Sequence, residues 1–410
     1  MRVLRVYHAG RDAAHRARDR ALVAAGVEVV LVVPRSWPGP SELFEEPFEI
    51  VELPVSRPGD VNRHRWLGDL GAVLARVQPD VLDLHNEPVS VAARQWLAAA
   101  GDRPVVMYSA QNLDKRWPPP FAQAERAALR QVAGMYPCSR QAASVLRGKG
   151  YPGTLAVLPL GTDPLLHRPG GQRGPVTRLL LAGRLVAEKG VLDAVRLLAA
   201  VRGVELTILG AGPQEQPARD LAVALSVTDR LRWSGWVDAA GLAAAYRAAH
   251  LVLLPSRTTT TWVEQFGRVV TEGRACGAVT LGYASGSLPE IVADAGVLVP
   301  EGDEPALAAA LQALVEDPLR WRALSDRGMA LAAAGTWAEV AAGMVEVYEA
   351  ALRPGHRTTV GRAAATTEFG RPARTTLSER PFALPVLRES RLAHWVVSDR
   401  RARRDTTTDR

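Results

Sequence analysis

Along the chain, short runs that are apolar at nearly every position alternate with longer stretches whose apolar residues recur every three to four positions. The runs are "VLRVY", "VEVVLVV", "DVLDLHN" and "PVVMYSA" in the first half, then "LLLAG", "VELTILGAG", "LVLLPS", "VTLGYA" and "GVLVP" in the second. A strand without apolar/polar alternation is covered on both faces, and helices between such strands imply parallel sheets. The pattern predicts an α/β protein with two doubly wound, Rossmann-like domains.

Punctuation residues place the boundaries. "HRPGGQRGPV", residues 167–176, is too rich in Pro, Gly and charge to form a core element and reads as a linker. The expected organisation is a first domain over 1–168, a second over 176–336, and one helix over 337–353 that Pro354 stops and that packs back toward the first domain. Beyond it, residues 354–410 lose hydrophobic periodicity and read as a mostly disordered Arg/Thr-rich tail.

Charge sharpens that division. The formal net charge is +7 over 410 residues, and from Arg353 onward thirteen arginines face six acidic residues, so the surplus lies in the tail and the body is neutral. A neutral body argues against nucleic acid as a partner, while a basic tail suits peripheral contact with an anionic membrane or a solvated extension. The two cysteines, Cys138 and Cys276, have neither disulfide-framework nor zinc spacing. The opening "RVLRVYHAG" reads as a strand rather than a charged leader, and the longest apolar run, 21–33, is broken by Gly26 and Glu28. A cytoplasmic protein is expected, with no metal and no cofactor, because no Asp-x-Asp pair or His/carboxylate cluster stands in strand context.

In open α/β sheets ligands bind beyond the carboxyl ends of strands, which directs attention to two segments. In "LLLAGRLVAEKG", Gly183, Arg184 and Lys189 lie between a strand and a helix amino end, where cations and free N–H groups suit a diphosphate. Lysine occurs only three times in the chain, against 47 arginines, which marks Lys189 as a place for a compact ammonium. Solvated turn residues would give the same local sequence. In "EQFGRVVTEGRACG", Glu264 precedes a helix expected to start at Phe266 and Gly267, and Glu272 falls inside it. Carboxylates accept hydrogen bonds from vicinal hydroxyls, as in sugars and riboses, so two of them around a helix amino end describe a nucleotide-sugar site. A helix cap and a solvated helix face remain the plain alternative for the same spacing.

Five motifs in order, "GRLVAEKG", "LGAGP", "EQFGRVVTEGRACG", "SGSLPEIV" and "GVLVPEGD", resemble the carboxyl-terminal domain of retaining glycosyltransferases of family 4, over most of residues 178–350. The resemblance implies the GT-B fold, in which two such domains face a central cleft, the second binding a nucleotide-sugar donor and the first an acceptor. It implies that Arg184 and Lys189 grip the donor diphosphate beside Gly183, that Glu264 contacts the transferred sugar, that backbone at Phe266 and Gly267 binds sugar and phosphate oxygens, and that Glu272 holds the ribose. It places the base near Trp236 and Val237. In the first half, "LHNEP" puts His85 where the family has a histidine near the sugar, with a satisfied structural histidine as the alternative, and "PLGTDPLLHRP" is similar to another family segment with Thr162 in place of Val. "VYHAGRD" keeps only Gly10 of the family's paired acceptor-side glycines, and neighbouring His8 has no clear assignment.

Glu264, His85, Arg184 and Lys189 are thus the expected catalytic group of a retaining hexosyltransferase acting on a UDP- or GDP-linked sugar. Its acceptor would be a carbohydrate, lipid-linked or small-molecule hydroxyl. An epimerase on the same fold and a non-catalytic nucleotide-sugar-binding protein are the competing readings.

Overall fold

The computed structural model describes residues 1–39, 45–170 and 174–353. The expected tail with its membrane contact, and residues 171–173 of the expected linker, lie outside the described residues. In the first half run β1 (Arg2–Val6), β2 (Glu28–Pro34), β3 (Glu49–Leu53), the short antiparallel pair β4 (Val55–Ser56) and β5 (Arg65–Trp66), then β6 (Val81–Leu84), β7 (Val105–Ser109), β8 (Gly134–Pro137) and β9 (Thr154–Leu155). The second half contributes β10 (Arg178–Ala182), β11 (Glu205–Leu209), β12 (Leu231–Gly235), β13 (Leu251–Leu254), β14 (Val279–Tyr283) and β15 (Gly296–Val299). The large sheets have the orders β3-β2-β1-β6-β7-β8-β9 and β12-β11-β10-β13-β14-β15, with parallel pairing throughout.

Strand order reverses direction between β1 and β6 in one sheet and between β10 and β13 in the other. At such switch points the following loops diverge to opposite faces and leave a crevice. The apolar runs singled out in the sequence are β1, β2, β6 and β7 in the first sheet and β10, β11, β13, β14 and the edge strand β15 in the second. β3, β8, β12 and the two-residue edge strand β9 are additional; β3 and β12 are sheet edges, which tolerate the charge in "EIVEL" and "LRWSG", while β8, between β7 and β9, is only four residues long and bounded by Gly and Pro.

Apolar burial forms three layers. One cluster, with Trp66, Trp96 and Leu82, covers the outer face of the first sheet, and another, with Leu198, Ile208 and Leu311, covers the outer face of the second. The third is continuous from Tyr136 in the first half through Phe266 and Leu288 in the second to Met344 and Tyr348. Those last residues belong to the helix Trp337–Leu352, which packs on the helix Ala17–Ala24 and on β8. The chain returns to the first half through a bridge of Thr162 with Thr336, where Gly161 leaves no room for a side chain beside the Trp337 backbone.

A buried polar knot fastens this return. Asp83 on β6 accepts from Arg5 Nε at 2.8 Å, from Tyr348 Oη at 2.7 Å and from Tyr136 Oη, while Arg5 also pairs with Asp19. Burial and the adjacent carboxylate push both tyrosine hydroxyls well above their ordinary range, so they remain donors. Removing one partner from such a knot strands the others without solvent. Asp83→Ala is therefore expected to cost about 3 to 5 kcal/mol of stability, and Tyr348→Phe about 1.5 to 3, measured by urea unfolding; losses below about 1 kcal/mol for Asp83→Ala would contradict the knot's role.

Candidate active site

β10 delivers Gly183 and Arg184 to the edge of the second switch point, and a short 3-10 turn, Ala187–Lys189, then turns the chain back into the helix Val191–Ala200. Gly190 makes that turn possible: its φ is +65°, and a Cβ there would sit 1.9 Å from the Pro255 carbonyl oxygen just beyond β13. The turn is thereby pressed onto the end of β13, which brings Lys189 to the segment carrying Glu264. Lys189 Nζ lies 2.7 Å from Glu264 Oε2 and 4.8 Å from the centre of the Trp262 ring. Ser256 Oγ donates to the same carboxylate oxygen at 2.8 Å. Glu264 is buried, and among the described residues its Oε1 takes no hydrogen bond.

The helix expected from Phe266 begins instead at Arg268, because Gly267 sits at its cap position with φ +77°, outside helical geometry. Among the described residues no side chain caps this helix. Its free N–H groups therefore face a cavity of about 320 Å³ lined by Gly183, Arg184, Lys189, Ser256, Glu264 and Gly267. A cavity of that size sits at the lower end of small-molecule sites. Arg184 is exposed and forms no ion pair among the described residues. Phe266 also reaches the cavity wall.

Glu272 lies elsewhere. It is buried, with Oε1 held by Arg268 at 2.6 and 3.1 Å and Oε2 by Tyr246 Oη at 3.1 Å, and it is not on the cavity wall. A solvated helix face is thus excluded for this residue. Trp236, which is exposed, and Val237 follow the edge-side strand β12 and line neither this cavity nor its neighbour. Gly10 is buried in the turn after β1, where a Cβ would press on Leu31, Tyr7 and Val33 at 3.2 to 3.4 Å; it too is off both cavity walls.

A second cavity, about 130 Å³, opens at the first sheet's switch point and is lined by Tyr7, His15, Arg18, His85, Arg268 and Trp337 among others. Tyr108, Leu160 and Arg268 line both cavities, so the two abut. His85 leaves the end of β6 stacked on Tyr108, ring centres 4.0 Å apart and 9° between planes, with its Nδ1 3.0 Å from Arg18 Nη1. Since the guanidinium can only donate, Nδ1 accepts and the ring proton sits on Nε2. Burial, then Arg18 and Arg5, hold the His85 pKa well below the ordinary histidine range. Arg18, Arg268 and Tyr108 were not singled out in the sequence; one arginine among 47 carries no local mark, and only packing reveals which of them face a cavity.

Contacts across the halves hold the two crevices together. Asn112 Nδ2 donates to the Glu264 carbonyl at 2.7 Å, Gln265 Nε2 to the Ala110 carbonyl at 3.1 Å, and Ser287 Oγ lies 3.1 Å from Ser139 Oγ. The Glu290 carboxylate accepts from the Arg140 N–H at 2.8 and 3.0 Å, at the amino end of the helix Arg140–Gly148. Among the described residues no group of three His, Cys, Asp or Glu side chains is placed to hold a metal ion, and no helix is long and apolar enough to cross a membrane.

Four histidines of the first half share one property. Burial, the leading cause in each, pushes His8 down to about 3 and lowers His15, His64 and His85. The unfolded chain therefore takes up protons below about pH 6.5 that the folded chain refuses, so stability is full above that pH and falls on acidification by at most about 1.4 kcal/mol per pH unit for each histidine. Asp19 and Glu87, pushed up by burial, offset part of the loss where they take up protons. Urea melts at pH 7.5 and 5.5 are expected to show lower stability at 5.5, with a smaller difference in His8→Phe; a flat profile would contradict this.

Comparison with known proteins gives the same picture in sequence and in shape. Residues 166–329 match the family described as glycosyl transferases group 1, and residues 19–161 match the glycosyl transferase 4-like domain. A D-inositol 3-phosphate glycosyltransferase of Segniliparus rotundus is 34% identical over 315 residues, 72% of this chain and 67% of that one. Among solved structures, sucrose-phosphate synthase from Thermosynechococcus elongatus superposes with a TM-score of 0.67 at 20% identity, covering 85% of this chain and 98% of the other. Anabaena HepE in complex with UDP-glucose superposes at 0.63 with 16% identity, covering 85% and 99%. At those identities the structural likeness speaks for the fold, which is GT-B.

Proposed function

The chain belongs to the group 1 glycosyl transferases, family 4, with the GT-B fold, and from that premise we propose that it moves a hexosyl unit from a nucleoside-diphosphate sugar to an acceptor hydroxyl with retention of configuration. The observation that carries this reading is the cavity of the second half, where an unpaired arginine, a lysine and an uncapped helix end surround a carboxylate with a spare oxygen.

Arg184, Lys189 and the N–H groups at Gly267 and Arg268 would receive the diphosphate and stabilise it as it leaves. A phosphate oxygen reaching Lys189 would compete with Glu264 for the ammonium, and so would free the carboxylate for hydroxyls of the sugar. Glu264 would act as a fixed negative partner for a ring gaining positive charge in the transition state. His85, neutral and with its proton on Nε2, would donate to the sugar from the opposite crevice. Glu272 would bind the ribose diol only by exchanging it for the Arg268 guanidinium. With the diphosphate itself assisting deprotonation, the acceptor would attack on the face from which the diphosphate departs. The named ligand of the HepE complex, UDP-glucose, supports a uridine donor, and the cytosol, where nucleotide sugars are made, is the fitting compartment.

Two experiments test the reading. Arg184→Ala combined with Lys189→Ala is expected to weaken UDP binding by about 3 kcal/mol or more, since each charge-assisted bond contributes about 1.5 to 3, while leaving the fold intact; unchanged affinity by calorimetry would remove the diphosphate assignment. Glu264→Gln is expected to leave UDP affinity nearly unchanged and to lower single-turnover rate by a factor on the order of a hundred to a thousand, about 2.7 to 4 kcal/mol. Glu272→Gln is expected to weaken UDP itself. Equal effects of the two glutamate substitutions would contradict the separate roles, and product formed from donor alone would favour the epimerase.

A further inference from the structure

We propose that Trp262 is a positioning residue of the donor cavity: its indole face holds the Lys189 ammonium in place while that ammonium exchanges Glu264 for a diphosphate. The inference rests on the proposed glycosyl transfer, whose donor site it deepens.

Trp262 stands in the polar run "RTTTTWV", residues 257–263, and is half-buried. Its ring centre lies 4.8 Å from Lys189 Nζ, which pairs with Glu264 Oε2 at 2.7 Å. Among the described residues Glu264 is the one acidic partner of Lys189, whose side chain is 26% exposed. A lysine ammonium is a compact charge on a flexible four-carbon stem, so a single bond to Glu264 would leave it loose once that bond is given up. A second carboxylate in the place of Trp262 would cancel the charge and take another N–H donor. An aromatic face attracts the cation and leaves its net charge for a phosphate. Trp262 is not on the cavity wall, so it acts through Lys189 and not on the ligand.

The backbone around Trp262 keeps the ring there. The Thr259 N–H donates to the Trp262 carbonyl at 2.8 Å and the Trp262 N–H to Thr259 Oγ1 at 3.0 Å, which closes 259–262 into a tight turn. Upstream, the Arg257 N–H donates to the Glu188 carbonyl at 2.9 Å, one residue before Lys189, and the Arg257 guanidinium grips Asp193 at 2.6 and 2.9 Å. Thr258 binds the Glu301 carboxylate through its N–H and, at 2.7 Å, through Oγ1. Downstream, Val263 is buried. The loop is thus anchored at both ends, and one anchor is the turn that carries Lys189. Indole and ammonium are therefore held to one another through the backbone as well as through the ring face.

The test uses the full chain, whose three lysines, labelled with carbon-13 at the ε-carbon, give three methylene signals in a magnetic resonance spectrum. The signal lost in Lys189→Ala belongs to Lys189. Both without UDP and with UDP at saturation it is expected upfield of the other two, from the ring current of Trp262, and to rejoin them in Trp262→Leu. UDP affinity by calorimetry is expected to fall about threefold to tenfold in Trp262→Leu and by no more than about twofold in Trp262→Phe, which keeps a ring face. In a Lys189→Ala background the same Trp262→Leu change is expected to alter UDP affinity by less than about twofold, because its partner is already gone. An equal loss in both backgrounds, or a Phe variant as weak as the Leu variant, would make Trp262 a merely structural residue and overturn the proposal. So would a Lys189 signal that loses its upfield shift when UDP binds. Should Trp262→Leu fail to fold, the Lys189 signal of the unaltered chain with and without UDP decides alone. UDP affinity indifferent to Lys189→Ala would instead strike the diphosphate assignment, and the methylene signal would still show whether the ring holds the ammonium.

Discussion

The backbone carbonyl of Glu264 accepts two hydrogen bonds from two different parts of the molecule, the Asn112 amide of the first half at 2.7 Å and the Ser287 N–H of the second at 3.1 Å. A buried carbonyl with both lone pairs used is held in direction as well as place. Its side chain then has one course, inward to Lys189 and Ser256, and the next residue, Gln265, can reach the Ala110 carbonyl across the interface. The two crevices abut at the walls they share, Tyr108, Leu160 and Arg268, and this peptide ties the halves together beside them. A carboxylate on a freely moving loop would have gained the same ion pair without fixing where its second oxygen points.

Charge is used in three ways within a short distance. In the knot of Arg5, Asp83, Tyr136 and Tyr348 each carboxylate oxygen of Asp83 is occupied, and the group acts as architecture. At Lys189 and Glu264 the pairing is incomplete, and among the described residues one carboxylate oxygen and the nearby Arg184 have no protein partner. At Arg18 the cation has aromatic company and, among the described residues, no carboxylate within ion-pair distance. The same residue types appear in all three, so the distinction lies in how many hydrogen-bonding positions the fold leaves unfilled.

The central strands were legible because a strand covered on both faces must be apolar at nearly every position, and nothing else in a soluble chain produces that pattern so regularly. The cavity-lining set of Gly183, Arg184, Lys189, Glu264, Phe266 and Gly267 was legible for a related reason: it sits within a few residues of strand ends and helix starts, where the motif is contiguous. Strands β3 and β12 were not, since an edge position in a sheet permits the charge that disguises them, and neither was β8, whose four residues begin with Gly and end with Pro. Gly10 shows the reverse error of emphasis, a motif glycine whose missing side chain answers to Leu31 and Val33 packing.

By itself, then, the order of apolar runs, Gly/Pro breaks and strand-end motifs determined an α/β chain of two parallel-sheet halves, a helix after residue 336 and a cation-and-carboxylate site in the second half, because each of these is encoded in neighbours along the chain. Tertiary structure alone decided which arginines are uncompensated, that Glu272 is turned into the protein onto Arg268 and Tyr246, and that His85 accepts from Arg18 rather than standing free. Those facts depend on side chains brought together from residues as far apart as 18, 85, 268 and 337, and hydrogen bonding and burial between such residues leave no periodic trace in the sequence.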